Sequence, residues 1–345
     1  MANPDPGQET AAPAAHVARP EALALEEIDA HLHRGRADLA MERIAGLDRA
    51  LRGSDHVRLF AMQAVVIGFA CPLERSAATP VPRDPPALSS LDLVWFHVDL
   101  PRAPSGLHQA IDYGAVLALS FEAGAIKAPQ ARRILITDET TQLPADLRVD
   151  EVMRFPLDRG QLMYERMRLQ SLYLKRRAPG RCSVLMDSDM VVNADPSRVF
   201  GEAFDIGLTW RGKHADAPFN GGLILVAEGA AGLDFFGKVR ACYDALAADA
   251  TVTGACETNP RAWWGDQWAL AATVGYRAYG ERTTDVLSVD GIRVRLFPCE
   301  THNFTPEPQT RYDVADLRRK FFIHFKGNRK QMLAFYLGQL RSGHI

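Results

Sequence analysis

The stretch that decides the fold spans residues 183–200, SVLMDSDMVVNADPSRVF, in which an apolar run leads into two aspartates and then continues as apolar sequence. Such a run is typical of a strand buried on both faces of a parallel sheet. Asp187 and Asp189 therefore stand at the end of a predicted buried strand, where a carboxylate without a partner is costly. Because a divalent cation is the simplest partner for two adjacent carboxylates, the pattern predicts a metal or catalytic site.

The sequence around this stretch alternates between strand-like and helix-like patterns. The predicted strands are 91–100, 131–140, 149–157, 181–192, 204–210 and 221–227, and the predicted helices are 108–126, 162–177, 233–247 and 264–274. This alternation predicts an α/β fold with a mainly parallel sheet and helices on both faces. In such sheets ligands bind beyond the carboxyl ends of the strands, so we expect the two aspartates at the mouth of a site.

Residues before position 91 follow a different pattern. Residues 1–20 are rich in Ala and Pro and lack a cationic start and an apolar core, which favours a disordered lead over a signal peptide. Helical spacing over 21–75, broken at Arg34-Gly35, predicts an accessory unit of two or three helices for packing or homo-oligomer formation. The segment 76–90 contains four prolines and predicts a linker to a domain over 91–345.

Composition excludes some function classes. The 345 residues are 47% hydrophobic and carry a formal net charge of −2, which gives no support for a nucleic-acid partner. The cysteines show no CxxC spacing and suggest reduced thiols in a cytoplasmic protein: Cys71, Cys182, Cys242, Cys256 and Cys299. No apolar run is long enough to cross a bilayer, although peripheral membrane contact stays possible.

An Asp-x-Asp triplet alone is weak evidence for a metal or catalytic site, because about one such triplet arises by chance in a chain of this length. Two enzyme classes place it after an apolar strand: haloacid-dehalogenase-like phosphatases and nucleotide-sugar glycosyltransferases of the GT-A fold. In a phosphatase, Asp187 would be the nucleophile and Asp189 the general acid or base. That class needs a later GDxxxD motif, and the candidate at Gly265-Asp266 has Leu270 in place of the final aspartate. The downstream sequence therefore disfavours the phosphatase.

Four stretches in order resemble the family 8-type retaining glycosyltransferases of the GT-A fold. They are LMDSDMVV (185–192), PFNGGLILV (218–226), WWGDQWALAATVG (263–275) and FFIHFKGNRKQM (321–332). The resemblance covers roughly residues 91–335. One departure is that Lys330 is followed by Gln331-Met332 where the family usually has Pro-Trp.

The resemblance implies a role for each matching residue. Asp187, Asp189 and His324 would bind Mn²⁺ or Mg²⁺, which suits a mixed oxygen and nitrogen ligand set. Asp266 and Gln267 would lie beside the anomeric carbon. The diphosphate and nucleoside contacts would be Asp138, Ser188, Gly327 and Lys330. The donor-sugar contacts would be Arg168, Asn220, Gly221 and Gly222, with Arg166 an equal alternative to Arg168.

The activity implied by the resemblance is sugar transfer, with retention, from a nucleotide-diphosphate donor, most simply a UDP-sugar. The acceptor would be a hydroxyl of a glycan, a lipid-linked molecule or a protein. Front-face attack is expected, and a covalent intermediate on Asp266 is its variant. Two alternatives stay open: an inverting transferase with Glu257 or Asp285 as base, and a catalytically silent nucleotide-sugar-binding or scaffold protein. A sugar nucleotidyltransferase is disfavoured, because PRAPSGLHQ (101–109) follows the first strand without a Gly-rich loop.

Overall fold

The structure is a computed structural model that divides into two compact units, Met1–Gly68 and Phe69–Ile345. It describes residues 19–34, 36–52, 55–68, 75–79, 81–99, 112–211, 218–250, 259–262, 265–275, 286–307 and 314–344. Of the disordered lead expected over 1–20, residues 1–18 lie outside the described residues.

The first unit consists of four helices around its own apolar core. They are α1 (Arg19–His33), α2 (Ala37–Ala45), α3 (Arg49–Arg52) and α4 (Asp55–Gly68). Ile28 and Leu32 of α1 pack with Ile44 of α2 and Val57 of α4 in this core. The helical spacing that follows Arg34-Gly35 is divided between α2 and α3. α2 ends at Ala45, and the Gly46 N–H bonds back to the carbonyls of its last turn.

The second unit is built on a nine-stranded sheet and a two-stranded sheet. The strands are β1 (Arg75–Ala78), β2 (Leu91–Phe96), β3 (Arg132–Asp138), β4 (Glu151–Phe155), β5 (Cys182–Asp187), β6 (Met190–Val192), β7 (Ile206–Trp210), β8 (Phe219–Val226), β9 (Val286–Val289), β10 (Ile292–Pro298) and β11 (Phe322–His324). The helices are α5 (Tyr113–Lys127), α6 (Leu162–Arg176), α7 (Ala231–Ala248), α8 (Gly265–Val274), α9 (Cys299–His302), α10 (Val314–Leu317) and α11 (Leu333–Arg341).

The large sheet is mainly parallel, as predicted. Its strand order is β1-β9-β10-β7-β8-β5-β2-β3-β4. Within the described chain, β8 and β9 run against the other seven strands, as the pairings along the sheet require. The predicted α/β fold class is therefore confirmed.

Helices cover both faces of this sheet, as β2 illustrates. Successive side chains of a strand point to opposite faces. Trp95 stacks on Phe121 of α5, with ring centroids 4.1 Å apart. Asp92, on the other face, accepts a hydrogen bond from the Tyr173 hydroxyl of α6 at 2.7 Å. The central strands are thus buried on both sides, which explains their continuous apolar sequence.

The Pro-rich segment 76–90 differs from the expected linker. Its first residues belong to β1, which pairs antiparallel with β9. Further along, the Val81 carbonyl accepts from the Ala203 N–H at 2.6 Å, and the Arg83 side chain donates to the Phe200 carbonyl at 2.8 Å. Proline lacks a backbone donor but is tolerated in extended chain at an edge. The segment is therefore an arm attached to the second unit.

The hairpin of β9 and β10 is absent from the sequence-based prediction. Its turn residues, Asp290 and Gly291, both have positive φ, 48° and 79°. That geometry is typical of the tight turn favoured by Asp-Gly between two strands. The Asp-Gly pair in VLSVDGIRVRLF was the sequence signal that could have predicted these strands.

Candidate metal centre

The two aspartates lie where the predicted strand 181–192 divides. β5 ends at Asp187, Ser188 and Asp189 form a turn, and β6 begins at Met190. β6 pairs antiparallel with β11, with His324 opposite Met190. The Phe325 N–H also donates to the Asp189 carbonyl at 2.9 Å. This short pairing brings the imidazole beside the two carboxylates.

Asp187, Asp189 and His324 form the group among the described residues that could hold a metal ion. One ligand atom from each lies within 4.8 Å of the others. His324 Nε2 is 3.1 Å from Asp189 Oδ1 and 3.9 Å from Asp187 Oδ2. Two carboxylates and one imidazole fit a divalent cation with an oxygen preference and leave coordination positions for a ligand. The residues predicted as ligands therefore converge.

Positive charge reinforces the ionised state of Asp189. Lys330 Nζ lies 2.6 Å from Asp189 Oδ2 and 5.7 Å from the centroid of the Tyr113 ring. Burial raises the pKa of Asp189, but its interactions with His324 and Lys330 outweigh burial and hold that pKa below the ordinary value. Burial has the opposite effect on the imidazole: it lowers the pKa of His324 and favours the neutral ring. A carboxylate and a neutral imidazole are the forms that bind metal.

Arg166 is the arginine that enters the site. Its guanidinium is buried and bonds to Asp187 on one side and to Asp266 on the other. Arg168 instead bonds to Glu165, at 2.8 Å, and to the Pro156 carbonyl, at 3.0 Å. Residues two apart on a helix face different directions, so only one of the two arginines can reach the strand end. Of the two arginines that the sequence offered, Arg166 is therefore the one that lies beside the aspartates, and Arg168 does not.

Asp266 and Gln267 open α8 beside Arg166, and their hydrogen bonding is incomplete. Asp266 is fully buried, and burial raises its pKa despite the opposing charge of Arg166. Its Oδ1 atom and the Gln267 Oε1 atom are buried and have no hydrogen-bond partner among the described residues. Buried acceptors are normally satisfied, so both atoms are available to a donor such as a water molecule or a ligand hydroxyl. Trp263 and Trp264, which precede α8 in the sequence, lie outside the described residues.

Gly221 and Gly222 of β8 pass directly beneath the site. A Cβ atom on Gly222 would lie 2.7 Å from Asp187 Oδ2, and one on Gly221 would lie 2.4 Å from Asp266 Oδ2. Both distances are shorter than real Cβ contacts, so a side chain at either position would displace the carboxylates. The Asn220 side chain is turned toward the protein, because its Oδ1 atom accepts from the Gly222 N–H at 2.9 Å.

The predicted nucleotide contacts have different surroundings. Asp138 ends β3, and its carboxylate accepts from Arg159 and from the Thr141 N–H, so it orders the following loop. Ser188 lies in the aspartate turn, and its carbonyl accepts from the Ser120 hydroxyl at 2.8 Å. Gly327 has a positive φ of 54° and open space at its Cβ position.

Sequence reasoning missed two polar residues at the strand ends. Asp99, just beyond β2, accepts from the Gln142 N–H at 3.0 Å and lies 3.3 Å from His97 Nε2. Asn303, after α9, is buried and lies 2.9 Å from His324 Nδ1. The position of Asp99 after an apolar strand was a usable signal. Asn303 follows a short helix in an irregular stretch and offered none.

The comparisons with known proteins yield structural neighbours. No protein-family model matches the chain, and no curated protein matches it. One similar solved structure is a glycosyltransferase involved in the glycosylation of the major capsid of PBCV-1, with 12% identity and a TM-score of 0.40 over 72% of this chain and 98% of that chain. Another is the galactosyltransferase LgtC in complex with donor and acceptor sugar analogs, with 12% identity and a TM-score of 0.43 over 74% of this chain and 100% of that chain.

No helix in the described part of the chain combines the length and the apolarity needed to span a membrane.

Proposed function

We propose that the protein is a metal-dependent glycosyltransferase of the GT-A type that uses a nucleotide-diphosphate sugar, most simply a UDP-sugar. The observation that carries the proposal is the Asp187–Asp189–His324 cluster next to a second, incompletely bonded group, Asp266 and Gln267. The first group suits a cation that binds a diphosphate, and the second offers acceptors for sugar hydroxyls.

The two groups would have different roles, one in binding the metal and the other in contacting the sugar. Asp187, Asp189 and His324 would hold Mn²⁺ or Mg²⁺, which when bound neutralises charge on a diphosphate leaving group. Lys330 adds a fixed positive charge beside Asp189. Lys326 is close to the same carboxylates; burial, together with the nearby positive Arg211, lowers its pKa to about 8. Arg166 orients Asp266, whose free oxygen would face the sugar.

Retention follows the resemblance in the motifs, with Asp266 or Gln267 beside the anomeric carbon. Gly221 and Gly222 would let the carboxylates of Asp266 and Asp187 lie close to β8 beside the donor sugar, and Asp138, Ser188 and Gly327 would contact the nucleoside diphosphate directly or through their loops. The acceptor, a cytoplasmic location and homo-oligomer formation through the first unit stay predictions. Glu257, Asp285 and residues 101–109, on which the alternatives depend, lie outside the described residues.

A thermal-shift panel tests the proposal. UDP with Mn²⁺ should raise the melting temperature by about 4 °C or more at 100 times the dissociation constant, and UDP without metal should raise it much less. Asp189→Ala should abolish the metal-dependent part. Asp234→Ala, at an exposed carboxylate of α7, is the control and should keep it. Equal stabilisation of the Asp189 variant and the native protein by UDP would show the metal assignment to be wrong.

Product stereochemistry separates retention from inversion. NMR of the anomeric proton of the transferred sugar should show the configuration of the donor. An inverted product would contradict the retaining mechanism and favour a carboxylate base on the acceptor side.

A further inference from the structure

A buried polar network lies behind the imidazole of His324. It joins Thr209 at the carboxyl end of β7, Asn220 at the start of β8, and Asn303 after α9. All three side chains are buried: Thr209 is 1% exposed, Asn220 4% and Asn303 1%. Buried networks of this kind fix the direction of each hydrogen bond, because every donor must meet an acceptor.

One end of the network is anchored by a backbone carbonyl. The Thr209 hydroxyl donates to the Asn220 carbonyl at 3.0 Å, and a carbonyl can only accept. The Cys299 thiol also forms a hydrogen bond with Thr209. With its single proton directed at the Asn220 carbonyl, Thr209 Oγ1 accepts from Asn303. The Asn303 amide nitrogen lies 2.9 Å away and donates to it. The Asn303 amide oxygen is consequently turned toward His324.

A second backbone group anchors the network independently. The Gly222 N–H can only donate, and it bonds to Asn220 Oδ1 at 2.9 Å. The Asn220 amide nitrogen therefore points the other way, toward Asn303 Oδ1 at 3.4 Å. Both anchors require the same orientation of Asn303, with its oxygen as acceptor.

The consequence falls on the imidazole. Asn303 Oδ1 lies 2.9 Å from His324 Nδ1, so Nδ1 must carry a proton. In the neutral ring the lone pair is then on Nε2, which lies 3.1 Å from Asp189 Oδ1. A lone pair facing a carboxylate is unfavourable unless a cation or a proton lies between them. The network thus presets the ring for a cation at the two aspartates.

We propose that Asn303 is a positioning residue that, held by Thr209 and Asn220, fixes the Nδ1-protonated form of His324 and so directs Nε2 to the metal. The inference rests on the proposed function for the identity of the cation. A metal-bound histidine commonly donates its other N–H to such a partner, and losing that partner typically weakens metal affinity about 10- to 100-fold.

Nitrogen-15 NMR of the metal-free protein labelled at histidine tests the ring state directly. The His324 signals, identified by their loss in His324→Gln, should show a proton on Nδ1 in the native protein. Thr209→Val removes the hydroxyl with little change in shape, and should give a mixture of the two neutral forms. Thr209→Ser keeps the hydroxyl and should keep the native pattern.

Titration with Mn²⁺, followed by the EPR signal of the free ion in the presence of UDP, gives the second measurement. Asn303→Leu and Thr209→Val should weaken Mn²⁺ binding about 10- to 100-fold. Two variants serve as controls. Asn303→Asp keeps an acceptor for Nδ1 and Thr209→Ser keeps the hydroxyl, so the Mn²⁺ affinity of each single variant should stay within about threefold of the native affinity.

The outcomes separate this inference from the proposed function. A neutral ring protonated on Nε2 in the native protein, or native Mn²⁺ affinity in both Asn303→Leu and Thr209→Val, overturns the role of Asn303 and leaves sugar transfer standing. Failure of the native protein to bind Mn²⁺ overturns the proposed function, whereas the ring state in metal-free protein still decides the inference.

Discussion

The two ends of β2 and β5 carry similar chemistry and differ in how complete it is. At the amino ends, Asp92 is fully buried and accepts from Arg132, Arg181 and the Tyr173 hydroxyl. At the carboxyl ends, Arg166 joins Asp187 to the buried Asp266, and one oxygen of Asp266 lacks a partner among the described residues. We call the amino end the finished end, because each oxygen of its buried carboxylate has a hydrogen-bond partner. We call the carboxyl end the open end, because one oxygen of Asp266 has none among the described residues.

This difference separates a structural carboxylate from a functional one better than burial does. Asp92 and Asp266 are equally inaccessible to solvent. A saturated network stabilises the fold, because breaking it leaves buried charges without partners. An unsaturated network costs stability and is retained where a ligand completes it. Substitutions at the two ends should therefore have opposite signatures.

The largest expected effect is on stability, at the finished end. Asp92→Ala removes the buried carboxylate that Arg132, Arg181 and the Tyr173 hydroxyl share, and should lower the free energy of unfolding by about 3 kcal/mol. Urea denaturation measures the loss. Asp187→Ala, at the open end of the neighbouring strand, is the matched comparison and should cost less than half as much. Equal losses at both ends would remove the distinction between the two networks.

The next effect is on activity, at the open end. Arg166→Met should lower turnover of the UDP-sugar found to stabilise the protein in the thermal-shift panel about 10²- to 10³-fold, because Asp266 loses the guanidinium that holds its side chain. Arg168→Met, two residues away on the same helix, should change turnover less than about threefold, since Arg168 bonds to Glu165 and Pro156. Steady-state kinetics of the two variants measure both effects. A larger loss of turnover in Arg168→Met than in Arg166→Met would identify Arg168 as the site residue.

The smallest effect is a pH dependence from a partly buried histidine, His302, near the open end. His302 lies between the rings of Phe297 and Phe321, at centroid distances of 4.6 and 4.9 Å. Burial lowers the pKa of His302 to about 4. The unfolded chain therefore binds a proton more readily, and stability should fall as the pH drops from about 6.5 to 4, by up to about 3 kcal/mol.

Denaturation curves at pH 7 and pH 4.5 measure that loss. His302→Gln cannot titrate, so its stability should change less between the two pH values than that of the native protein. An identical change in both proteins would mean that other groups carry the acid sensitivity.

Much of the site was predictable from sequence because its residues belong to regular elements. The aspartates end an apolar strand, so their place at the mouth of a site could be expected from the α/β pattern. The inclusion of His324 depended on the resemblance of the motif around it to a known family. The choice of Arg166 over Arg168 could not, because the rotation of α6 depends on packing against the sheet. The role of Asn303 could not either, because it depends on the hydrogen-bond directions of residues from three separate elements. Side-chain partners across distant elements carry no local periodicity.

The pairing of β6 with β11 has a consequence for how the protein is made. The third ligand of the metal centre, His324, lies 324 − 187 = 137 residues after the first. Because domains fold as the chain leaves the ribosome, the sheet around β5 can form while this ligand is still unsynthesised. A nascent or truncated chain ending before β11 would thus have a sheet without a complete cation site. The full set of candidate ligands would therefore be present only once the last part of the domain has been synthesised.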